Sequence, residues 1–302
     1  MSKVILENAF LKVEILSYGA ILEKLFVKNK DDNWQNVVLG LENEEEYKKG
    51  NPMYLGACIG PYAGRIDNGR FGLGDTYIQL DTINGVHLHG GNAGFHEREW
   101  TIISQEHGKR PAVTLQLKKE HDTKGYPGNI TVNLTYQLVE NEFRLSYEAT
   151  TDRTTILNLT NHSYFNLNNG NSITTHTLFI NSDTYLETDD RLIPSGNILN
   201  VGTTKYDFNS KKPVTSAFLD DTFILNNPTQ RAASLSCEES GIRLDVMTNQ
   251  PAMVVFTPSD GSGICFETQQ CPDAPNHSNF PSTVLTPEKH YKQETTFKFS
   301  LT

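Results

Sequence analysis

Four short stretches of this 302-residue chain hold side chains whose types and spacing could do chemistry. The first is Gly60-Pro-Tyr-Ala-Gly-Arg65-Ile66, followed by His87-Leu-His89-Gly-Gly91. A Gly-Gly pair after a histidine lets backbone approach a ligand while the imidazole points at it. The His-x-His spacing could also set two rings on one side of a strand, as a metal site needs. Apart from His96 and Glu97 downstream, no carboxylate or third histidine completes that ligand set. A hydrogen-bonded histidine in a turn is the plainer alternative, as a surface or ion-paired side chain is for Arg65.

The second stretch is Leu159-Thr-Asn-His162-Ser-Tyr164-Phe165-Asn-Leu167. Here an imidazole among Asn, Ser, Tyr and Phe can be oriented by hydrogen bonds and partly desolvated. A general acid or base needs that environment if its pKa is to lie near the working pH. A satisfied core histidine on a strand is the competing reading. The third, Gly263-Ile-Cys265-Phe-Glu267-Thr-Gln269, has one carboxylate on a strand-like run. If Cys265, Glu267 and Gln269 face a cavity, burial raises the Glu267 pKa into a useful range; otherwise Glu267 is a solvent-facing strand residue. The fourth is Leu219-Asp220-Asp221-Thr-Phe223, whose adjacent acids could bind paired hydroxyls or merely make a turn. Neither a G-x-S-x-G elbow nor a Gly-rich phosphate loop is present, which removes the usual support for serine hydrolases and nucleotide enzymes.

The elements that must hold these residues are strands. In the run 129–149, Ile130, Val132, Leu134, Tyr136 and Leu138 alternate with polar residues. After a turn at Glu140-Asn141, Phe143, Leu145, Tyr147 and Ala149 continue the alternation. Such a pattern predicts an antiparallel hairpin with one buried face. Similar pieces recur along the chain, separated by Gly, Asn, Asp and Pro clusters. No sustained 3.6-residue apolar stripe appears, and short helices are expected only near Asn43–Lys49 and Pro213–Leu219. One large β-sandwich domain over residues 1–302 fits this pattern better than two domains.

Lys and Arg number 26 against 36 Asp and Glu, a net charge of −10, with 37% hydrophobic residues. An acidic surface repels phosphate backbones and anionic lipid, so neither nucleic acid nor a membrane is expected as a partner. No apolar run approaches the roughly 18 residues of a membrane span. The N-terminal residues carry no secretory pattern, and four cysteines without a C-x-x-C pair make neither a disulfide framework nor a structural zinc site. A cytoplasmic protein is expected.

Taken in order, these clusters resemble the aldose 1-epimerase (galactose mutarotase) family over essentially the whole chain. The matching pieces are GPYAGRI, HLHGG with GF and W following, LTNHSYFNL, DDTFIL and CFETQQCPDAPNHSNFPS. The resemblance implies an all-β fold, a large antiparallel sandwich of the galactose mutarotase-like supersandwich type, with an open sugar-binding cleft on one sheet. It also implies interconversion of the α and β anomers of free aldoses without a metal or organic cofactor. By motif, the family's catalytic acid falls on His162 and its general base on Glu267. The second site histidine falls on His89, the substrate arginine on Arg65, and the sugar-binding aspartate on Asp220 rather than Asp221. The implied partner is a small-molecule sugar, with monomer and homodimer both open.

The chain departs from the family at Pro61, where an arginine is common, and at Gly64, where an asparagine is common. Val254 stands where a sugar-contacting glutamine is usual, so the resemblance carries the reaction class and leaves the sugar open. A glycoside hydrolase needs two catalytic carboxylates about 5–10 Å apart, and only Glu267 has a family-matched position for proton transfer. A non-catalytic sugar-binding module could use the same cleft but has no need of a proton-transfer pair. A sugar-phosphate epimerase would want more Arg or Lys near the cleft motifs, opposite to the change at Pro61.

Overall fold

The run 129–149 folds as the hairpin Ile130–Val139 and Glu142–Thr151, in register from Ile130 opposite Thr151 to Val139 opposite Glu142. All nine apolar residues of the alternation are buried. The connection puts Glu140 at φ +53°, a left-handed conformation of the kind two-residue hairpin turns require. The computed structural model in which this is seen describes residues 1–123, 125–214 and 219–302.

Among the described residues, three antiparallel sheets hold most of the strand residues. In the nine-stranded sheet the order is Thr101–Glu106, Ala112–Lys119, Ile130–Val139, Glu142–Thr151, Tyr291–Leu301, Ile242–Thr248, Ala233–Cys237, His176–Ile180 and Lys212–Pro213. The six-stranded sheet is ordered Tyr164–Phe165, Ile264–Gln269, Ala252–Phe256, Asp220–Ile224, Thr184–Thr188 and Pro194–Asn200. Residues 3–36 supply a four-stranded meander. One continuous apolar core draws on all three: Val13 and Leu25 from the meander, Leu134, Leu145 and Phe297 from the large sheet, Met253, Val255 and Phe266 from the six-stranded one. Phe165 meets Phe297 across the two large layers at 4.9 Å between ring centroids. Each such side chain contributes roughly 1.5–3 kcal/mol by leaving water. The layers are also joined by a buried polar contact, Thr268 Oγ1 to Thr295 Oγ1 at 2.6 Å. The structure is thus the all-β antiparallel sandwich that the alternation predicts.

The helix Glu44–Lys49 also follows expectation, with Asn43 Oδ1 accepting from the Glu45 and Glu46 amides at 3.1 and 3.3 Å. The helix expected near Pro213–Leu219 falls mostly on residues 215–218, outside the described residues. At its start, Lys212–Pro213 is instead a strand paired with Thr177 and Leu178. The one-turn helix Pro228–Arg231 has too few residues to leave a periodic signal. No helix among the described residues is long and apolar enough to cross a membrane.

The six-stranded sheet positions the site. Met253, Val255, Ile264 and Phe266 enter the core. Strict period two therefore turns Val254, Phe256, Cys265, Glu267 and Gln269 to the opposite face.

Candidate active site

Glu267 occupies the middle of the strand Ile264–Gln269, opposite Val254, which is itself opposite Thr222. This cross-strand row, Thr222–Val254–Glu267, forms part of the floor of an open cleft of about 740 Å³. Glu267 is only 2% exposed, and its Oε2 has no hydrogen-bond partner.

His162 follows the short strand Thr160–Asn161. Its amide donates to the Ala57 carbonyl at 2.9 Å and its carbonyl accepts from the Gly56 amide at 3.0 Å. The polar neighbours in its motif do not hold the ring, contrary to the expectation from sequence. Asn161 donates to the Gly56 carbonyl at 2.9 Å and accepts from the Ser163 amide at 3.2 Å, fixing the backbone. The imidazole itself is clamped by rings: Tyr164 stacked at 5.1 Å, His89 edge-on at 5.4 Å and Tyr54 at 5.7 Å. Cys265 Sγ lies 3.5 Å from its Nδ1. On the other side, Nε2 stands 3.5 Å from Glu267 Oε1.

His89 and His87 part company. The strand ends at Leu88, and His89 adopts φ +52°, which takes it off the strand's period. Its Nδ1 accepts from the Gly64 amide at 3.2 Å, and its ring lines the cleft. His87 points elsewhere, with Nδ1 2.7 Å from the Asp81 carbonyl and Nε2 2.7 Å from the Tyr126 hydroxyl. The paired-histidine metal reading thus fails, and the hydrogen-bonded alternative describes His87. The glycine after His89 serves chain packing rather than ligand access: Gly90 has φ +88°, and a Cβ there would lie 2.2 Å from the Gly60 carbonyl oxygen.

Arg65 pairs with Leu88 across a two-strand ribbon and reaches Asp220, Nη2 to Oδ2 at 3.0 Å. Both side chains are about a quarter exposed and line the cleft. Asp221 turns to the other face, nine-tenths buried, where Tyr206 donates to it and it accepts from the Asp220 amide at 3.2 Å. Arg65, His89, His162, Asp220 and Glu267 therefore converge on one cavity from five separate segments. Among the lining residues that sequence reasoning missed are Tyr54, Phe256 and Thr222. Phe256 shares a face with Val254, and Thr222 with Asp220, so alternation could have found both. Tyr54, on a loop at φ +55°, leaves no periodic signal.

Burial governs the protonation of the pair. It pushes the Glu267 carboxyl up to about 8, aided by the Asp220 charge and opposed by Arg65. It pulls His162 down to about 4, and His89 well below the ordinary histidine value, with the neighbouring His162 and Arg65 acting in the same direction on His89. Between those limits the Glu267–His162 pair holds one proton, and burial favours its residence on Glu267. Ligand atoms of His89, His162 and Glu267 lie within 4.8 Å of one another, a cation-sized spacing. However, a neutral His89 that accepts at Nδ1 carries its proton on Nε2 and offers no free lone pair.

A family model for aldose 1-epimerase matches residues 2–298. The chain is 35% identical to the aldose 1-epimerase of Haemophilus influenzae over 321 residues, covering 96% of this chain and 92% of that one. It is also 35% identical to the galactose mutarotase of Bos taurus over 331 residues, covering 100% and 94%. Among solved structures, an aldose epimerase homologue from C. elegans superimposes with a TM-score of 0.92 at 28% identity, covering 99% of each chain. With its fold, its cleft and this match over nearly its full length, the chain belongs to the aldose 1-epimerase family.

Proposed function

We propose that this protein interconverts the α and β anomers of free aldohexoses of the glucose and galactose type, with Glu267 as general base and His162 as general acid. The observation that carries the proposal is the buried contact of His162 Nε2 with Glu267 Oε1 at 3.5 Å on the cleft floor. Anomer exchange acts on two oxygens borne by the same carbon, so its acid and base must work side by side rather than across a bond. Glu267 removes the proton of the C1 hydroxyl while His162 delivers one to the ring oxygen. The C1–O5 bond breaks, leaving an aldehyde and a free hydroxyl. Rotation about C1–C2 presents the other carbonyl face, and the same two groups return their protons on closure.

The protonation state fits this cycle at its midpoint. Ring opening converts the carboxylate and imidazolium into a carboxylic acid and a neutral imidazole. That is the distribution burial favours, so the hydrophobic surroundings stabilise the open-chain stage. Sugar hydroxyls donating to Glu267 favour its carboxylate and return the shared proton to His162 for the opening step. Arg65, Asp220 and the Nε2–H of His89 hold the sugar by its hydroxyls and leave the C1 end free to turn.

Residues 1–302 act as one unit in this reading, because the site draws on segments from Arg65 to Glu267. Four free cysteines, all buried, suit a reducing cytoplasm. The test is polarimetry on freshly dissolved α-glucose and α-galactose, with and without protein. Faster decay of rotation to the unchanged equilibrium value is the expected result. A decay at the spontaneous rate over the whole workable protein range would refute the proposal.

A further inference from the structure

Gln269 is fully buried, yet neither its Oε1 nor its Nε2 has a hydrogen-bond partner. A carboxamide offers two donors and an acceptor with two lone pairs, and burying it unpaired is costly enough that native proteins rarely leave one so. Two of its neighbours have nothing to offer it. Ala252, its cross-strand partner, has no polar side-chain atom. On the flank, the position a Cβ of Gly64 would take lies 3.4 Å from Nε2 and 2.9 Å from Pro272 Cβ. Because residue 64 is glycine, the side chain on that flank is the apolar Pro272, which cannot pair with the amide.

The amide lines the same cleft as Glu267. The two residues are two apart on one strand face, which at about 3.3 Å per residue puts them roughly 6.6 Å apart. That offset is comparable to the width of a pyranose ring with its hydroxyls. With Glu267 at the C1 end, Gln269 lies toward the opposite side of the ring. Adjacent sugar hydroxyls each donate and accept, so a pair of them complements the donors and acceptor of one carboxamide.

We infer that Gln269 is a specificity-determining contact whose carboxamide reads the hydroxyls at C3 and C4 of the bound aldose. The inference rests on the proposed anomer exchange and adds to it the feature of the sugar that the cleft selects. A sugar lacking the hydroxyl in question leaves the buried amide unpaired, and sites of this kind reject such analogues strongly.

The experiment measures KM and kcat by polarimetry for glucose and for its 2-deoxy, 3-deoxy and 4-deoxy analogues, in wild type and Gln269→Met. Wild type should lose roughly tenfold or more in kcat/KM on the 3-deoxy or 4-deoxy sugar, chiefly through KM. Gln269→Met should weaken glucose by a similar factor and treat glucose and those analogues alike within about threefold. The 2-deoxy analogue, altered beside C1, should keep the same ratio to glucose in both proteins. The wild-type series stands alone if the variant fails to fold. Intact turnover of glucose with no penalty beyond twofold on either the 3-deoxy or the 4-deoxy sugar would overturn this inference and leave the anomer exchange standing. So would a Gln269→Met protein whose melting temperature falls while its sugar ratios match wild type, since that marks a purely structural amide. Absence of any turnover by wild type would overturn both readings together.

Discussion

Two buried histidine clusters sit on either side of the ribbon that carries Arg65, and they differ in how completely they are satisfied. His87, 1% exposed, donates from Nδ1 to the Asp81 carbonyl, so its Nε2 accepts from the Tyr126 hydroxyl. Every polar atom of that ring is spoken for within the chain. Across the ribbon, the ring of His162 is held by aromatic packing, Glu267 Oε2 is unpaired, and both polar atoms of Gln269 are orphaned. Burial depresses both imidazoles, so depth alone does not separate structure from function. Unspent hydrogen-bonding capacity facing a cavity does separate them, because a ligand must supply what the fold withholds.

The largest effect expected from this contrast lies in catalysis. Glu267→Gln and His162→Asn each keep side-chain shape and should each lower kcat roughly 10²-fold or more, with folding intact by circular dichroism. His87→Ala should do the opposite. It removes two hydrogen bonds and leaves the Tyr126 hydroxyl unpaired, a loss of roughly 1–3 kcal/mol in stability, while kcat stays near wild type. A His87 variant that folded normally but lost turnover would erase the distinction between the two clusters.

The adjacent aspartates repeat the comparison across a single sheet. Asp220 reaches Arg65 at the cleft, and Asp221 serves Tyr206 on the other face. A hydrogen bond to a charged group is worth about 1.5–3 kcal/mol, so Asp220→Ala should raise KM roughly tenfold or more. Asp221→Ala should lower the melting temperature and move KM much less. Steady-state kinetics beside a thermal melt on both variants would expose the reverse order.

Most of the sheet architecture was legible in the sequence because period two is a local property, and the hairpin at 130–151 shows it without interruption. Glu267 was legible for the same reason, as alternation with Phe266 and Ile264 fixes which face it takes. His89 was singled out by the family motif, but its separation from His87 was not legible in the residue pattern, because it depends on the positive φ of His89. Tyr54 was hidden too, because a loop residue is brought to its site by contacts far away in sequence. The protonation of Glu267 was legible in direction but not in amount, because desolvation depends on the surrounding Tyr164, Phe256 and Val254 rather than on the strand itself.

That desolvation can be read as stability. Glu267 is raised from about 4.5 to about 8 in the folded protein. Between those values the native state keeps a proton that the unfolded chain has given up. Stability therefore falls as pH rises through this window, by at most roughly 1.4 kcal/mol per pH unit, and levels off above it. Glu267→Gln abolishes the term. Its melting temperature should match wild type near pH 4.5 and exceed it by several degrees at pH 8, as thermal melts across that range would record. In wild type, kcat/KM should hold a plateau between about 4 and 8, losing the shared proton above and gaining a second one below. A constant difference in melting temperature across the range would mean that Glu267 is not desolvated in solution.

The smallest expected effect lies at Val254, between Thr222 and Glu267 on the cleft floor. It lines the cleft rather than joining the core, which takes its neighbours Met253 and Val255 instead. A valine neither donates nor accepts at this point, so the floor beside Glu267 asks nothing of the sugar hydroxyl above it. Losing one neutral hydrogen bond costs about 0.5–1.5 kcal/mol, a factor of roughly 2 to 12 in affinity. No buried polar group at this point of the floor is left unpaired by a hydroxyl of either configuration, so Val254 adds nothing to the separation of glucose from galactose, and binding should be weak, with KM at the millimolar end. Val254→Gln should improve kcat/KM for one of the two sugars by that factor and open a preference between them. A wild-type preference above roughly 100-fold exceeds what one missing contact can produce and would mean that the Gln269 contact, rather than the floor at Val254, separates the two C4 configurations. Unchanged kinetics of the glutamine variant on both sugars would mean that the sugar does not touch this part of the floor.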